Sequence, residues 1–207
     1  MSGALHRTTL TRLLEDDGDE IDRLSEALRS GAVAAIPTES TYGLAVDPRC
    51  AAGVDAVYEI KGRSDSLPLP VVVADASQAA ALGVDTGHPL WRAATRLWPG
   101  ALTVVLETAR ALPAQRGADS LALRIPGHRP LRQLLGRIGF GLTATSANRS
   151  GEPSLVDPDA VAELLAPHGG WLLDGGELPG GPPSTVVAWN ASQGAAVVLR
   201  HGAVRFP

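Results

Sequence analysis

Residues 20–44 read EIDRLSEALRS, G, AVAAI and PTESTYGL in succession. The first stretch sets Ile21, Leu24 and Leu28 on one helical face, and Gly31 stands where such a helix would end. Ala32 to Ile36 is a short apolar run closed by Pro37, which predicts a strand. Thr38, Ser40, Thr41 and Tyr42 then gather hydroxyls just past the strand's end. Helix into strand into polar loop predicts an α/β chain, with groups able to bind a small polar ligand where a strand stops. The bland alternative for the loop is a Ser/Thr-capped turn into the next element.

The same alternation continues outward. Leu69–Ala74, Leu102–Leu106, Leu121–Ile125, Leu142–Thr145, Thr185–Trp189 and Ala196–Leu199 are short apolar runs bounded by turn residues, and predict further strands. Cys50–Lys61, Leu90–Trp98, Pro130–Ile138 and Asp157–Leu165 predict helices, the last opened by Asp157-Pro158 as N-cap and first turn. The fold class expected is α/β with a mixed sheet. Residues 20–207 are expected to form one domain, with 1–19 a loosely held N-terminal arm. The Gly/Pro-rich stretch Gly175–Pro183 is the main long loop, a kind more often functional than structural.

Composition narrows the class. With 207 residues, 44% of them hydrophobic, the chain is large enough to bury a core without staples. Its one cysteine, Cys50, excludes an intrachain disulfide and fits a reducing compartment. The five histidines are scattered, with no zinc-like spacing to Cys50. There is no signal-peptide pattern and no apolar run long enough to span a bilayer, so a soluble, cytoplasmic protein is expected. A net charge of −4 argues against coating by nucleic acid, but leaves room for a weak local RNA contact. Of 18 basic residues Lys61 is the only lysine, which hints that a compact ammonium is needed there, or simply that the chain is Arg-biased.

P-loop, Gly-x-Gly-x-x-Gly and Gly-x-Ser-x-Gly signatures are absent. Polar groups cluster instead at strand and helix ends. Lys61-Gly62-Arg63 ends a helix, where two cations either suit the macrodipole or grip phosphates. Arg124 interrupts the apolar run Leu121–Ile125, so it either meets an internal carboxylate or faces a cleft. Ser146-Ala147-Asn148-Arg149-Ser150-Gly151 packs hydroxyl, amide and backbone donors into one loop, which suits phosphate or base recognition or an ordinary turn. Pro183-Ser184-Thr185 and Leu199-Arg200-His201-Gly202 each set a polar group at a strand end.

Taken in order with Trp98-Pro99-Gly100-Ala101-Leu102-Thr103, these blocks resemble the YrdC-domain family, the threonylcarbamoyl-AMP synthases. The resemblance runs from about Leu24 to Val204. It implies an open, twisted mixed sheet flanked by helices, with a concave groove for threonine and ATP. It implies synthesis of L-threonylcarbamoyladenylate and pyrophosphate from L-threonine, bicarbonate or CO2, and ATP. Mg²⁺ would arrive with the ATP, and no tightly bound cofactor or resident metal is implied. By the same resemblance Ser40, Arg124 and Ser184 would bind threonine, Arg124 through its carboxylate. Lys61 and Arg63 would be catalytic and hold the ATP phosphates, while Ser120, Ser146, Asn148 and Arg200 would contact the nucleotide. The product would pass to a downstream enzyme that transfers threonylcarbamoyl to tRNA.

The chain departs from the family pattern at Leu67, where an asparagine is usual, and at Val72, where a histidine is usual. Those two contacts, and with them the amino-acid specificity, are open. Two other readings stand beside the synthase: a non-catalytic RNA-binding module of the same fold, and a carbamoyl-adenylate-handling paralogue with a different acceptor.

Overall fold

The computed structural model describes residues 4–15, 18–62 and 67–207. Arg63 lies outside them. The first elements are β1 (Leu5–Thr9), α1 (Leu10–Glu15), α2 (Asp19–Arg29), β2 (Ala34–Pro37) and β3 (Tyr42–Ala45). Helix α2 carries Asp19, Glu20 and Asp22 at its positive end and Arg29 in its last turn, and buries Ile21, Leu24 and Leu28. Strand β2 is buried along its whole length. Its residues alternate between two cores: Ala34 and Ile36 join one cluster, Ala35 and the preceding Val33 the other. A strand covered on both faces reads as a continuous apolar run, which is why it is visible in the sequence.

The chain continues through α3 (Ala51–Lys61), β4 (Val71–Val72), α4 (Ala76–Ala81), α5 (Pro89–Ala94), β5 (Leu102–Glu107) and β6 (Ser120–Arg124). It ends with α6 (Arg129–Ile138), β7 (Leu142–Thr143), β8 (Thr145–Ser146), α7 (Pro158–Leu165), β9 (Gly170–Asp174), β10 (Thr185–Asn190) and β11 (Ala195–Arg200). Caps fix the helix ends. Asp157 accepts from the Asp159 N–H at 3.0 Å to start α7, and His128 accepts from Leu131 N–H at 3.3 Å to start α6. Gly62 and Gly139 close α3 and α6 in the left-handed conformation, with φ of 61° and 80°.

The strands form two mixed sheets, in the orders β1-β9-β2-β3-β8 and β11-β10-β5-β6-β4-β7. The expected strand Leu142–Thr145 is split at Ala144, so β7 belongs to one sheet and β8 to the other. The crossing is stitched from both sides: Thr143 N–H donates to Val46 O at 2.9 Å and Ala144 N–H to Pro70 O at 2.8 Å. Helices α1, α2 and α6 pack over one face of the five-stranded sheet, α3 and α7 over the other. The six-stranded sheet is treated unequally. Leu102, Val104, Leu106, Leu121, Leu123 and Val187 point into a core with α5. The alternate residues Thr103, Ala122, Arg124 and Val186 face an open cleft.

Residues 1–19 were expected to form a loose arm. The described part instead contributes strand β1, paired parallel to β9 from Leu5↔Gly170 to Thr9↔Asp174, and helix α1. Arg7 anchors it, with Nη1 2.6 Å from Asp159 and Nη2 2.7 Å from Asp174. Among the described residues, no helix is long and apolar enough to cross a membrane.

Candidate active site

The cleft lies on the seam between the two sheets and has a volume of about 710 Å³, within the range of small-ligand sites. Its walls come from strand ends: the 38–43 loop after β2, residues 67–72 leading into β4, the face of β5 and β6, and the turn at 144–146. Gly180, Gly181 and Pro183 of the long loop, with Ser184 and Arg200, close one side. That loop is tied to the first: Gly180 N–H donates to Ser40 O at 2.9 Å. The buried Tyr42 hydroxyl donates to Gly176 O at 2.8 Å and accepts from Gly175 N–H at 2.9 Å. Burial pushes the Tyr42 phenol above its ordinary range, so it stays a neutral donor.

Ser40, Arg124, Ser146, Ser184 and Arg200, singled out from the sequence, all line this cleft. Ser120 sits on the same face of β6 as Ala122 and Arg124 but outside the lining. Lys61 and Asn148 lie behind the wall, 4% and 8% exposed. The Lys61 ammonium donates to Ser146 O and to Asn148 Oδ1, each at 2.7 Å. Ser146 Oγ in turn donates to Asn148 Oδ1 at 2.7 Å, and Asn148 Nδ2 to Glu152 O at 2.6 Å. Lys61 is therefore a buried post that fixes the Ser146–Asn148 loop and sets a positive charge just beneath it.

Ser184 is held from two sides. Its hydroxyl lies 2.8 Å from Thr103 Oγ1, and Arg200 donates through Nε and Nη2 to Ser184 O at 3.2 and 2.9 Å. Gly202 explains the Arg-x-Gly spacing. A Cβ there would sit 2.2 Å from Pro183 O and 2.5 Å from the Ser184 carbonyl carbon, so only glycine lets the C-terminal segment lie against this loop. Thr185 Oγ1 clamps the same segment, accepting from Gly202 N–H at 3.1 Å and donating to Val204 O.

Arg124 combines the two alternatives that its sequence context left open. Its Nη2 donates to Glu39 Oε1 at 2.6 Å and its Nε to Gly100 O at 2.9 Å, so it has a fixed internal carboxylate. It also lines the cleft, and its Nη1 end has no hydrogen-bond partner among the described residues. Val72 is its register neighbour on β4 and shares the cleft wall, so the surface beside the guanidinium is apolar. Leu67, at the rim, is 55% exposed. Among the described residues there is no group of three or more side chains fit to hold a metal ion.

Sequence reasoning missed Glu39 and Thr103 as site residues. Both lie inside quoted motifs, Pro37-Thr38-Glu39 and Leu102-Thr103. A strand-end carboxylate and a polar residue in an apolar strand were the available signals.

A family model covering Sua5, YciO and YrdC, described as telomere recombination, matches residues 26–202. A Bacillus subtilis protein named threonylcarbamoyl-AMP synthase is 34% identical over 201 residues, covering 94% of this chain and 57% of its own length. A Chromohalobacter salexigens protein of the same name is 35% identical over 180 residues, covering 84% of this chain and 94% of its own length. The crystal structure of P. abyssi Sua5 complexed with L-threonine superposes with a TM-score of 0.79 at 30% identity, covering 96% of this chain and 57% of that one. The chain thus spans little more than half of the Bacillus and P. abyssi proteins. The match over residues 26–202, with relatives 34% and 35% identical over most of the chain, shows that this chain belongs to the Sua5/YciO/YrdC family.

Proposed function

We propose that this protein is a threonylcarbamoyl-AMP synthase, joining L-threonine, bicarbonate or CO2, and Mg-ATP and releasing pyrophosphate. The observation that carries the reading is the half-committed guanidinium of Arg124, anchored on one side and unpartnered at Nη1 in a cleft roomy enough for two substrates. A carboxylate matches that free end. The threonine held by the P. abyssi relative supports an amino acid as its source.

The chemistry needs no protein nucleophile. The threonine amine adds to CO2, loses a proton and becomes N-carboxythreonine. The new carboxylate attacks the α-phosphorus of ATP in line, and the bond to the pyrophosphate leaving group breaks. The protein's part is alignment of two anions and neutralisation of their charge. Arg124 holds the amino-acid carboxylate, with the Ser40 and Ser184 hydroxyls on either side. Ser146, held from behind by Lys61 and Asn148, faces the nucleotide, and Arg200 supplies an exposed cation over Ser184. Arg63 adds a second cation at the phosphates, and Ser120 extends the nucleotide contacts along β6. Mg²⁺ comes as part of the nucleotide substrate.

The setting proposed is the cytoplasm, where the labile adenylate passes to a tRNA threonylcarbamoyl-transfer enzyme. The test is pyrophosphate release with ATP, Mg²⁺ and bicarbonate, offering each amino acid in turn without RNA. Release with threonine is expected. Release only with another amino acid would favour a paralogue with a changed acceptor, which the apolar Val72 beside Arg124 makes worth testing. Release with none would leave a binding module.

A further inference from the structure

Glu39 occupies a built position. Its Oε1 accepts from Arg124 Nη2 at 2.6 Å and from the Gly127 N–H, while Oε2 is buried without a partner among the described residues. Gly127 makes the room: a Cβ there would stand 2.8 Å from Oε1. On the far side of this corner Arg132 Nη1 donates to Pro126 O and Gly127 O at 2.6 and 2.8 Å, so the turn leaving β6 is pinned from both directions. The guanidinium is thereby held at two points, Gly100 O and Glu39, and those two contacts decide where its third nitrogen points.

We infer that Glu39 is a positioning residue for amino-acid recognition, fixing Arg124 so that its Nη1 end faces the cleft, and acting through an oxygen acceptor rather than through its charge. The inference rests on the reading of Arg124 as the carboxylate contact. Glu39 brings a cost that only geometry repays. A carboxylate next to Arg124 repels an incoming substrate carboxylate, so on charge alone the site would bind better without it. Both donors converge on one oxygen, Oε1, and the other oxygen has no partner among the described residues. A side-chain amide presents the same accepting oxygen without the charge.

Three variants test this against L-threonine and ATP. Glu39→Ala frees Arg124 from one anchor and is expected to raise the KM for threonine about tenfold or more, leaving the KM for ATP within about threefold. Glu39→Gln keeps the accepting oxygen and is expected to stay within about threefold of wild type for both substrates. Gly127→Ala keeps the carboxylate but pushes it from its seat, and is expected to reproduce the alanine phenotype; it also decides the matter should Glu39→Ala fail to fold. A purely structural role would move both KM values together and would show no rescue by Gln. Wild-type threonine KM in Glu39→Ala, or equal damage in Glu39→Gln and Glu39→Ala, overturns the inference. If the wild type makes no threonylcarbamoyl-AMP at all, the proposed function fails instead, and the two failures are told apart by that control.

Discussion

Lys61 and Arg124 are both cations in apolar surroundings, and the chain uses them differently. Lys61 is 4% exposed, and its ammonium lies against the neutral oxygens of Ser146 and Asn148. Arg124 has a carboxylate partner, Glu39, and lines an open cleft with one nitrogen uncommitted. A compact ammonium with three donors can be enclosed by a loop and can organise it. A planar guanidinium has edges enough to be anchored and still offer a face to a ligand. The difference separates a cation that works through other residues from one that touches substrate.

The largest expected effect breaks the first half of that comparison. Lys61→Ala is expected to cut turnover by about a hundredfold, the scale of misplacing a substrate-facing loop by about 1 Å, because Lys61 holds Ser146 from behind. It also takes the ammonium donor from Ser146 O, at a cost of about 1–3 kcal/mol, while Asn148 Oδ1 keeps only the Ser146 hydroxyl, so the melting temperature falls as well. Lys61→Arg is not expected to rescue, because the fork overfills a point-charge site. Stopped-flow turnover with a thermal melt checks both, and full activity in Lys61→Ala would return Lys61 to an ordinary helix-end cation.

Arg124→Gln addresses the second half. Loss of a charged contact to the carboxylate is expected to cost about 1.5–3 kcal/mol, or about ten- to a hundredfold in threonine affinity, with ATP affinity kept. Because Glu39 is 28% and Arg124 17% exposed, removing the guanidinium also takes the charged partner from a largely buried carboxylate, so the apo melting temperature is expected to fall while the protein stays folded. Titration calorimetry should also show that L-threonine amide, lacking the carboxylate, binds wild type poorly and the mutant no worse.

Arg200 is a third case, an exposed cation whose place depends on backbone rather than on a pocket. Gly202→Ala puts a methyl group 2.2 Å from Pro183 O and is expected to destabilise by about 1–3 kcal/mol while loosening Ser184 and Arg200. Denaturant unfolding checks the first effect, and a raised KM for both substrates the second.

The smallest effect is a pH dependence at the corner behind Arg124. Burial holds the His128 imidazole below its ordinary value of 6.5, with the Arg132 charge assisting and the Glu39 charge opposing. The neutral ring caps α6 through Nδ1. A depressed folded value means the contribution is fully present above pH 6.5 and is lost as pH falls through the lower folded value. A melting series from pH 7.5 down to pH 5 (chosen about 1 unit or more to either side of the ordinary value) is expected to slope in the wild type. His128→Asn, which keeps a capping acceptor, is expected to flatten it.

The sequence exposes what is local and hides what is paired at a distance. Strands β5, β6 and β10 are legible because each sets alternate apolar residues into the core with α5. Strand β1 is not, because Arg7 and its partners Asp159 and Asp174 make it look like a polar arm, and its pairing partner β9 lies far along the chain. The split of β7 from β8 turns on hydrogen bonds from residues 143 and 144 to Val46 and Pro70, which no periodicity encodes. The site follows the same rule. Arg124 is legible as a charge within an apolar strand, and Lys61 as the sole lysine. That Glu39 is the carboxylate meeting Arg124, 85 residues away, is a fact of tertiary packing.

The most direct test of the central claim is the mass of the nucleotide product. The purified protein is incubated with ATP, Mg²⁺, L-threonine and ¹³C-labelled bicarbonate, with no RNA present. Threonylcarbamoyl-AMP carrying one ¹³C at the carbamoyl carbon, formed with pyrophosphate in equal amount, is the result expected. Absence of that adduct, or its appearance only when RNA is added, would contradict the account.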